Sequence, residues 1–372
     1  MNAQVSIVKC ASYEPRLVQE AVSEAINLAG GIESFIKPAS TVLIKPNLLM
    51  AKEPEFGIDT HPEVVRAAVI SLKKINCKVL LGDGPSSWGN HAADMDKLYE
   101  KTGMKRISEE EGVELLKSDS RRWYGKFPLS GWLDVCDCLL NIPKFKTHDL
   151  MILTGAIKNL YGLVSTHYKL ELHKRYFHPE NFAVILVDIY EKIKPSFTIV
   201  DGIVAMEGDG PGTSGALRNL GLVLAGSDCV ALDSVLALIM GLSAEDILTN
   251  KEAARRRLGV SDINRISILG EKLTEVIKEP FKLPTTYMAD KIPPFAIELA
   301  KKFLKHYPTV EPASCTRCLA CIEACPTKVI SMKEKGIAFN YSGCIACFCC
   351  QEACPASAIK VKKSLLAKMI GL

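Results

Sequence analysis

Cys315-Thr316-Arg317-Cys318-Leu319-Ala320-Cys321-Ile322-Glu323-Ala324-Cys325-Pro326 and Cys344-Ile345-Ala346-Cys347-Phe348-Cys349-Cys350-Gln351-Glu352-Ala353-Cys354-Pro355 share one pattern, Cys-x2-Cys-x2-Cys-x3-Cys-Pro. Thiolates two residues apart in a tight loop can reach adjacent corners of one cuboidal cluster. The fourth cysteine, one step further on and before proline, points the other way. The repeat extends past the cysteines: Val329-Ile330 follows the first run as Ala358-Ile359 follows the second. A constant offset is what a pseudo-twofold module with exchanged ligands requires. A zinc site would instead show separated Cys-x2-Cys pairs.

Over about 50 residues this segment resembles the bacterial two-cluster ferredoxin domain, whose fourth cysteine serves the other cluster. That resemblance implies two 4Fe-4S clusters. One would take Cys315, Cys318, Cys321 and Cys354, the other Cys344, Cys347, Cys350 and Cys325. Leu319, Ala320, Ile345 and Ala346 suit loops that wrap a cluster and exclude water. Cys349 departs from the pattern and reads as a spare buried thiol, with a ligand swap under oxidation as the alternative.

Outward from this block, the remaining chain is long enough for a larger domain. The 372 residues are 48% hydrophobic and 24% charged, ordinary for a globular protein with a sizeable core. The formal charge of +4 treats every cysteine as neutral. Each four-thiolate cluster brings roughly −2 when oxidised, so the excess nearly cancels. With no basic stripe interleaved with aromatics, nucleic-acid binding is not expected. No apolar run approaches the roughly 20 residues of a membrane span, and Met1 to Cys10 reads as a strand instead of a signal peptide. A cytoplasmic protein is expected, and its fourteen cysteines suit metal ligation better than disulfides.

Before the cysteine block, apolar runs at Val5–Val8, Val42–Ile44, Val79–Leu81, Cys138–Ile142, Phe197–Val200, Leu222–Ala225 and Ile266–Leu269 read as strands. Helical patterns lie between many of them. Thr60-His61-Pro62-Glu63 reads as a capping box opening a helix to about Lys74. Arg16 to Leu28 and Asp228 to Met240 are further helices. The fold class is therefore α/β, a largely parallel sheet with helices on both faces, followed by a small α+β ferredoxin-like domain. Expected bounds are 1–292 for the α/β domain, 293–312 for a linker with a helix at Ala296–Leu304, 313–361 for the cluster domain and 362–372 for a basic amphipathic tail.

Ligands of such sheets bind in loops at the carboxyl ends of strands. Here those loops are Lys45-Pro46-Asn47, Gly82-Asp83-Gly84-Pro85-Ser86-Ser87, Pro143-Lys144-Phe145-Lys146-Thr147-His148, and Asp201-Gly202 with Glu207 to Gly212. Lys158 and Asn159 follow on a probable-helix pattern, Thr154 to Gly162, where an unpaired charge would be costly. Lys158 needs an acidic partner or a ligand. Lys45, Asn47, Asp83, Lys144, Lys146, Asn159 and Asp201 are nominated to hold an anionic ligand. His148 and Lys158 are nominated for catalysis. Gly210-Pro211-Gly212-Thr213-Ser214-Gly215 matches G-x-G-x-x-G but lacks the preceding strand and following helix of a dinucleotide site. His167, His173 and His178 read as a solvated loop. Cys136 and Cys138 read as core thiols sharing one face of a strand, and Trp123 and Trp132 as packing anchors around a hairpin at Pro128.

Leu43-Ile44-Lys45-Pro46-Asn47, Asn141 to His148, Gly155-Ala156-Ile157-Lys158-Asn159-Leu160-Tyr161-Gly162 and Val200-Asp201-Gly202 resemble the family catalogued as domain of unknown function 362. Such domains are often joined to a C-terminal ferredoxin-like module, so the resemblance implies this fold and arrangement but no reaction. A distant likeness to lactate racemase-like proteins lies in histidine and lysine motifs in similar loops, and no residue is carried over from it. Three readings of function follow. In the first, an oxidoreductase passes electrons from the cysteine-rich module to an anionic substrate or cofactor in the cleft, with a flavin or nucleotide as a possible further cofactor. In the second, the protein is an electron carrier or adaptor whose α/β domain binds a partner protein. In the third, it serves regulation or cluster assembly.

Overall fold

The strand runs found in the sequence become the centre of one mixed sheet in the computed structural model, which describes residues 2–84, 95–117, 121–176, 178–277, 279–290, 307–334 and 336–362. In chain order the strands of the large domain are β1 (Ala3–Lys9), β2 (Thr41–Pro46), β3 (Lys78–Leu81), β4 (Glu114–Leu115), β5 (Arg121–Tyr124), β6 (Phe127–Ser130), β7 (Cys138–Ile142), β8 (Lys144–His148), β9 (Ile152–Thr154), β10 (Phe197–Gly208), β11 (Gly215–Gly226) and β12 (Ile266–Gly270). The sheet order is β12-β1-β11-β10-β7-β2-β3-β4, with β8 and β9 attached beside β10. Pairing is parallel except for β1–β11, β10–β11 and β8–β9.

Alternation along each strand divides the core in two. Leu43, Leu80, Leu139, Val200 and Leu224 join one apolar cluster with helices Pro179–Ile193 and Cys229–Ile239. Val42, Ile44, Val79, Leu81, Leu140, Ile199 and Val223 join another with helices Pro15–Leu28 and Pro62–Lys73. Helices thus cover both faces, which is why the inner strands read as unbroken apolar runs. Each fully buried branched side chain contributes about 1.5–3 kcal/mol.

Register aligns the strand ends that carry the polar residues. Lys45 of β2 lies opposite Asn141 of β7, and Ile44 opposite Leu81 of β3. Several loop expectations change here. Lys144–His148 is a strand, because β10 runs on past a bulge between Gly202 and Val204 and offers β8 new partners, Asp201 to Lys144 and Met206 to Lys146. Gly210–Gly215 forms the turn between antiparallel β10 and β11, with no helix after it.

Helix Pro62–Lys73 is capped by His61, whose side chain accepts from the Glu63 amide, and not by Thr60. The Thr60 hydroxyl accepts from the Asn47 amide and donates to the Ile142 carbonyl, so it ties two strand ends together instead. Asp228 does cap helix Cys229–Ile239, accepting from the Val230 and Ala231 amides. Trp132 is buried, but Trp123 is 59% exposed and meets Tyr168 edge-on. Cys136 precedes β7 and packs with the opposite cluster from Cys138, so the two do not share a strand face. His167 and His173 lie in helix Thr166–Arg175, with His173 buried against Phe182 and Tyr161, while His178 precedes helix Pro179–Ile193.

In the small module, β13 (Tyr307–Val310) pairs with β16 (Ile359–Lys362), and β14 (Ile330–Lys333) with β15 (Gly336–Phe339). The module begins within the segment expected as linker, since Pro308 sits in an edge strand that tolerates it. Helices Ala320–Glu323 and Cys349–Glu352 are related by the 29-residue offset of the cysteine runs. So are the left-handed residues Arg317 and Ala346, Leu319 and Phe348, and Lys328 and Ser357. The expected helix at Ala296–Leu304, the loop residues Pro85-Ser86-Ser87 and the tail beyond residue 362 lie outside the described residues.

Candidate functional site: a lysine-lined cleft closed by the cysteine-rich module

The two short helices set the thiols. Cys315, Cys318, Cys321 and Cys354 line one cavity together with Ile337 and Ile359. Burial, then the neighbouring charges of Cys347, Cys344, Cys321 and Cys325, holds the Cys350 thiol well above its ordinary range. One group thus mixes three cysteines of the first run with the fourth of the second, and Cys350 lies among Cys347, Cys344, Cys321 and Cys325. Among the described residues, no three His, Cys, Asp or Glu side chains converge on a single-ion site. The Val329 amide donates to Cys325 Sγ at 3.4 Å, and the Ala358 amide to Cys354 Sγ at 3.2 Å. Such donors favour the reduced, more negative cluster and tune its potential. Cys349 is buried and hydrogen-bonds to Cys347, lowering that thiol's pKa. Leu319 and Cys318 face solvent, so the apolar cover expected there is incomplete.

In the large domain, Lys45 Nζ meets Asp83 Oδ1 at 2.6 Å, with both side chains at most 1% exposed. Lys45 also donates to the Pro46 carbonyl (3.0 Å) and to Asn159 Oδ1 (3.3 Å), and Asp83 accepts from the Leu48 amide. Asn159 continues the network, accepting from Asn47 Nδ2 at 3.0 Å and donating to Asn141 Oδ1 at 2.8 Å. Two glycines make this geometry possible. A Cβ on Gly162 would fall well inside 3.0 Å of both Asp83 and Lys45, and one on Gly155 would strike Asp233. The Asp233 carboxylate accepts from the Ala156 (2.6 Å) and Ile157 amides and so caps the short helix Ala156–Asn159 that carries Lys158. Burial raises the Asp233 pKa to about 7.

Asn47, Asp83, Lys146, Lys158 and Asn159 face one cavity of about 50 Å³, together with Thr154, Lys169 and, from the small module, Glu352. That is room for a few waters or a very small ligand. Burial lowers the pKa of Lys158 to about 8, against the pull of Glu352 and Cys349. Lys146 donates to the Ile58 carbonyl at 2.6 Å. Burial pulls its pKa down, while Asp59 opposes the shift. The Thr154 hydroxyl, in a residue 2% exposed, and Asn47 Oδ1 have no hydrogen-bond partner among the described residues.

His148 stands behind Glu352. Its Nδ1 accepts from the Leu150 (3.1 Å) and Met151 (3.3 Å) amides, which places the proton on Nε2. Nε2 lies 3.3 Å from Glu352 Oε1. Burial, with Lys158, His173 and Lys146 nearby, holds His148 well below its ordinary pKa, hence neutral. Lys144 and Asp201 form a separate buried pair (2.9 Å), joined by the Tyr13 hydroxyl, which receives from Lys144 at 2.6 Å and donates to Asp201 at 2.8 Å. They do not face the cavity. A larger depression of about 930 Å³ opens at the amino ends of β1 and β12, between Asn2, Lys194 and Arg265. It gathers none of the nominated residues and lies at the wrong strand ends for a sheet of this kind.

The residue missed by sequence reasoning is Glu352. The module that carries it seats on the β10–β11 turn: Thr213 Oγ1 donates to the Cys354 carbonyl and Ser357 Oγ to the Thr213 carbonyl, each at 3.4 Å. Glu323 occupies the equivalent place in the first run and is not buried. The repeat thus hid the difference, and the glycine-rich turn that serves as the seat was its one sequence signal.

A cysteine-rich module with this thiol arrangement, docked on the carboxyl edge of an α/β sheet, defines a two-module iron–sulfur electron-transfer protein. Its C-terminal part matches the family described as "4Fe-4S dicluster domain" at residues 307–355, and residues 42–237 match "Domain of unknown function (DUF362)". The chain belongs to the latter family. It is 30% identical over 294 residues to a thylakoid-associated protein of Synechocystis sp. (strain ATCC 27184 / PCC 6803 / Kazusa), covering 77% of this chain and 90% of that one. Among solved structures it is similar to the lactate racemase apoprotein from Thermoanaerobacterium thermosaccharolyticum (12% identity, TM-score 0.42, 65% of this chain and 57% of that one). It is also similar to a Thermotoga maritima protein (13%, 0.32, 52% and 50%). The chain thus spans about half of each solved chain. Among the described residues no helix is long and apolar enough to cross a membrane.

Proposed function

We propose that this protein is an iron–sulfur oxidoreductase that reduces a small anionic ligand held in the cleft of the α/β domain. Cys315, Cys318, Cys321 and Cys354 would hold one 4Fe-4S cluster, and Cys344, Cys347, Cys350 and Cys325 a second. Such clusters, when bound, supply single electrons at low potential. Within the chain, Lys158 and Lys146 attract the anion, Asn47 and Thr154 offer unused polar atoms to orient it, and the Lys45–Asp83–Asn159 network keeps that wall rigid. His148 does not line the cavity; its Nε2 proton faces Glu352, so it is a hydrogen-bond donor on that side and not a ready base, because its other nitrogen is already engaged.

The observation that carries this reading is the shared wall. Helix Cys349–Glu352 bears Cys350 at one end and sends Glu352 into the lysine-lined cavity at the other. A carrier that only met partner proteins would have no need to seat its cluster helix over a buried polar cavity. The cavity volume, against the roughly 300–1,000 Å³ of sites for drug-sized ligands, favours a small anion over a flavin or nucleotide.

The test is mass spectrometry of small molecules released from anaerobically purified protein, comparing wild type with Lys158→Met. A stoichiometric small anion present in the wild type and lost from a variant of unchanged iron content is the expected result. Nothing retained by either protein, together with capture of a stable redox partner, would replace the enzyme with a carrier.

A further inference from the structure

The group already in the cavity is a carboxylate, and it comes from the other module. Glu352 is 6% exposed and shares the cavity with Lys158, Lys146 and the unpartnered hydroxyl of Thr154. Among the described residues its direct hydrogen bonding to the large domain is sparse for so buried a group, and the lysines act on it through charge. Its contact with His148 Nε2 is 3.3 Å long, beyond the usual 2.7–3.2 Å of a nitrogen–oxygen hydrogen bond. The helix that carries it has only four residues, and among the described residues the module behind it makes two 3.4 Å hydroxyl hydrogen bonds to the β10–β11 turn. A side chain held this loosely can be displaced by a ligand making the same interactions with less constraint.

Resting on the reading of the cleft as the substrate site, we propose that its substrate is a small carboxylate and that Glu352 occupies the carboxylate subsite until the substrate displaces it. Exchange of one carboxylate for another leaves the charge of the cavity unchanged, so the buried lysines stay balanced. A phosphate dianion would add charge and bulk to a cavity of about 50 Å³. The flat, two-oxygen shape of a carboxylate matches one histidine N–H on one side and the lysines on the other. Glu352 therefore acts as a positioning and gating residue: with it in place the cavity is closed, and when it swings out the ligand meets the wall formed by the Cys350 helix.

The experiment uses full-length anaerobic holoprotein and measures binding of acetate and of inorganic phosphate by calorimetry. Variants are Glu352→Ala, Glu352→Gln and Glu352→Ala/Lys158→Met, with iron content and far-ultraviolet circular dichroism as controls. If Glu352 fills the subsite in about nine molecules of ten, its removal raises acetate affinity roughly tenfold, because apparent affinity scales with the open fraction. Glu352→Gln, which keeps the bulk, gains less. Adding Lys158→Met removes the gain, and phosphate shows none. Equal acetate binding by wild type and Glu352→Ala would overturn the displacement, while leaving the cleft a binding site. An equal gain for phosphate would overturn the carboxylate class. Absence of any anion binding in all four proteins would overturn the underlying reading of the cleft as well.

Discussion

Removing Asp83 strands Lys45 in the core, and the size of the penalty can be bounded. Both groups of the pair are at most 1% exposed, and the ammonium keeps only two neutral acceptors, the Pro46 carbonyl and Asn159 Oδ1. Losing one member of a buried pair costs about 3–5 kcal/mol. At pH 7 the cost has a ceiling, because Lys45 can release its proton. From an ordinary pKa of about 10.4, at about 1.36 kcal/mol per pH unit, that ceiling is about 4.6 kcal/mol. Asp83→Ala is therefore expected to lose about 3–4.5 kcal/mol, a fall of roughly 6–18 °C in the melting midpoint at about 2–4 °C per kcal/mol.

The pH dependence carries the mechanism. Burial already lowers the Lys45 pKa in the intact protein. In the variant Lys45 gives up its proton in the folded state at a lower pH than in the unfolded chain, so between those two pKa values the unfolded state binds more protons. Stability of the variant relative to wild type should then rise with pH, by up to about 1.4 kcal/mol per unit between pH 7 and 9.5. Lys45→Met/Asp83→Leu, which removes both charges, should return to within about 2 kcal/mol of wild type. The assay is far-ultraviolet circular dichroism melting of anaerobic holoproteins at matched scan rate. A single variant that melts within 2 °C of wild type, or whose deficit is flat with pH, would refute the stranded-charge argument.

Two further outcomes are expected. Cys325→Ser should damage the cluster held by Cys344, Cys347 and Cys350 and leave the other largely intact; spectra showing the opposite loss would overturn the exchanged-ligand assignment. Lys158, with its pKa lowered to about 8, is charged below that pH and neutral above it, so anion affinity should hold to about pH 8 and then weaken by up to about tenfold per unit. Titration calorimetry with the retained anion from pH 7 to 9.5 checks this, and a flat profile would remove Lys158 from the site.

What could be read from the chain follows from the range of each interaction. The inner strands were legible because burial on both faces demands unbroken apolar runs, and the two cluster loops because their ligand spacing is local. Helix Pro62–Lys73 was legible, but its cap was not: Thr60 is drawn to Asn47 and Ile142, residues far apart in sequence. Lys144–His148 looked like a loop because its pairing depends on a bulge in β10 more than fifty residues later. The nominated polar residues divided for the same reason. Lys158, Lys146, Asn47, Asp83 and Asn159 meet at one cavity, while Lys144 and Asp201 satisfy each other through Tyr13, a partner no local pattern announces.

The repeat shows the limit most sharply. Glu323 and Glu352 are equivalent by every local measure: the same distance from their cysteines, the same short helix, the same left-handed residue before it. Only docking separates them, because one half of the module faces the cleft while the other presents Cys318 and Leu319 to solvent. A pseudo-symmetric module bound to an asymmetric surface must give its two halves different work. One half is exposed at Cys318 and Leu319 and the other faces the cavity. The question raised by Lys158 in the sequence, whether it has an acidic partner or a ligand, then has a physical resolution. Glu352 is the acid that shares the cavity of Lys158 and opposes the effect of burial on it, and in the reading proposed here the substrate's carboxylate replaces Glu352 when the cleft opens.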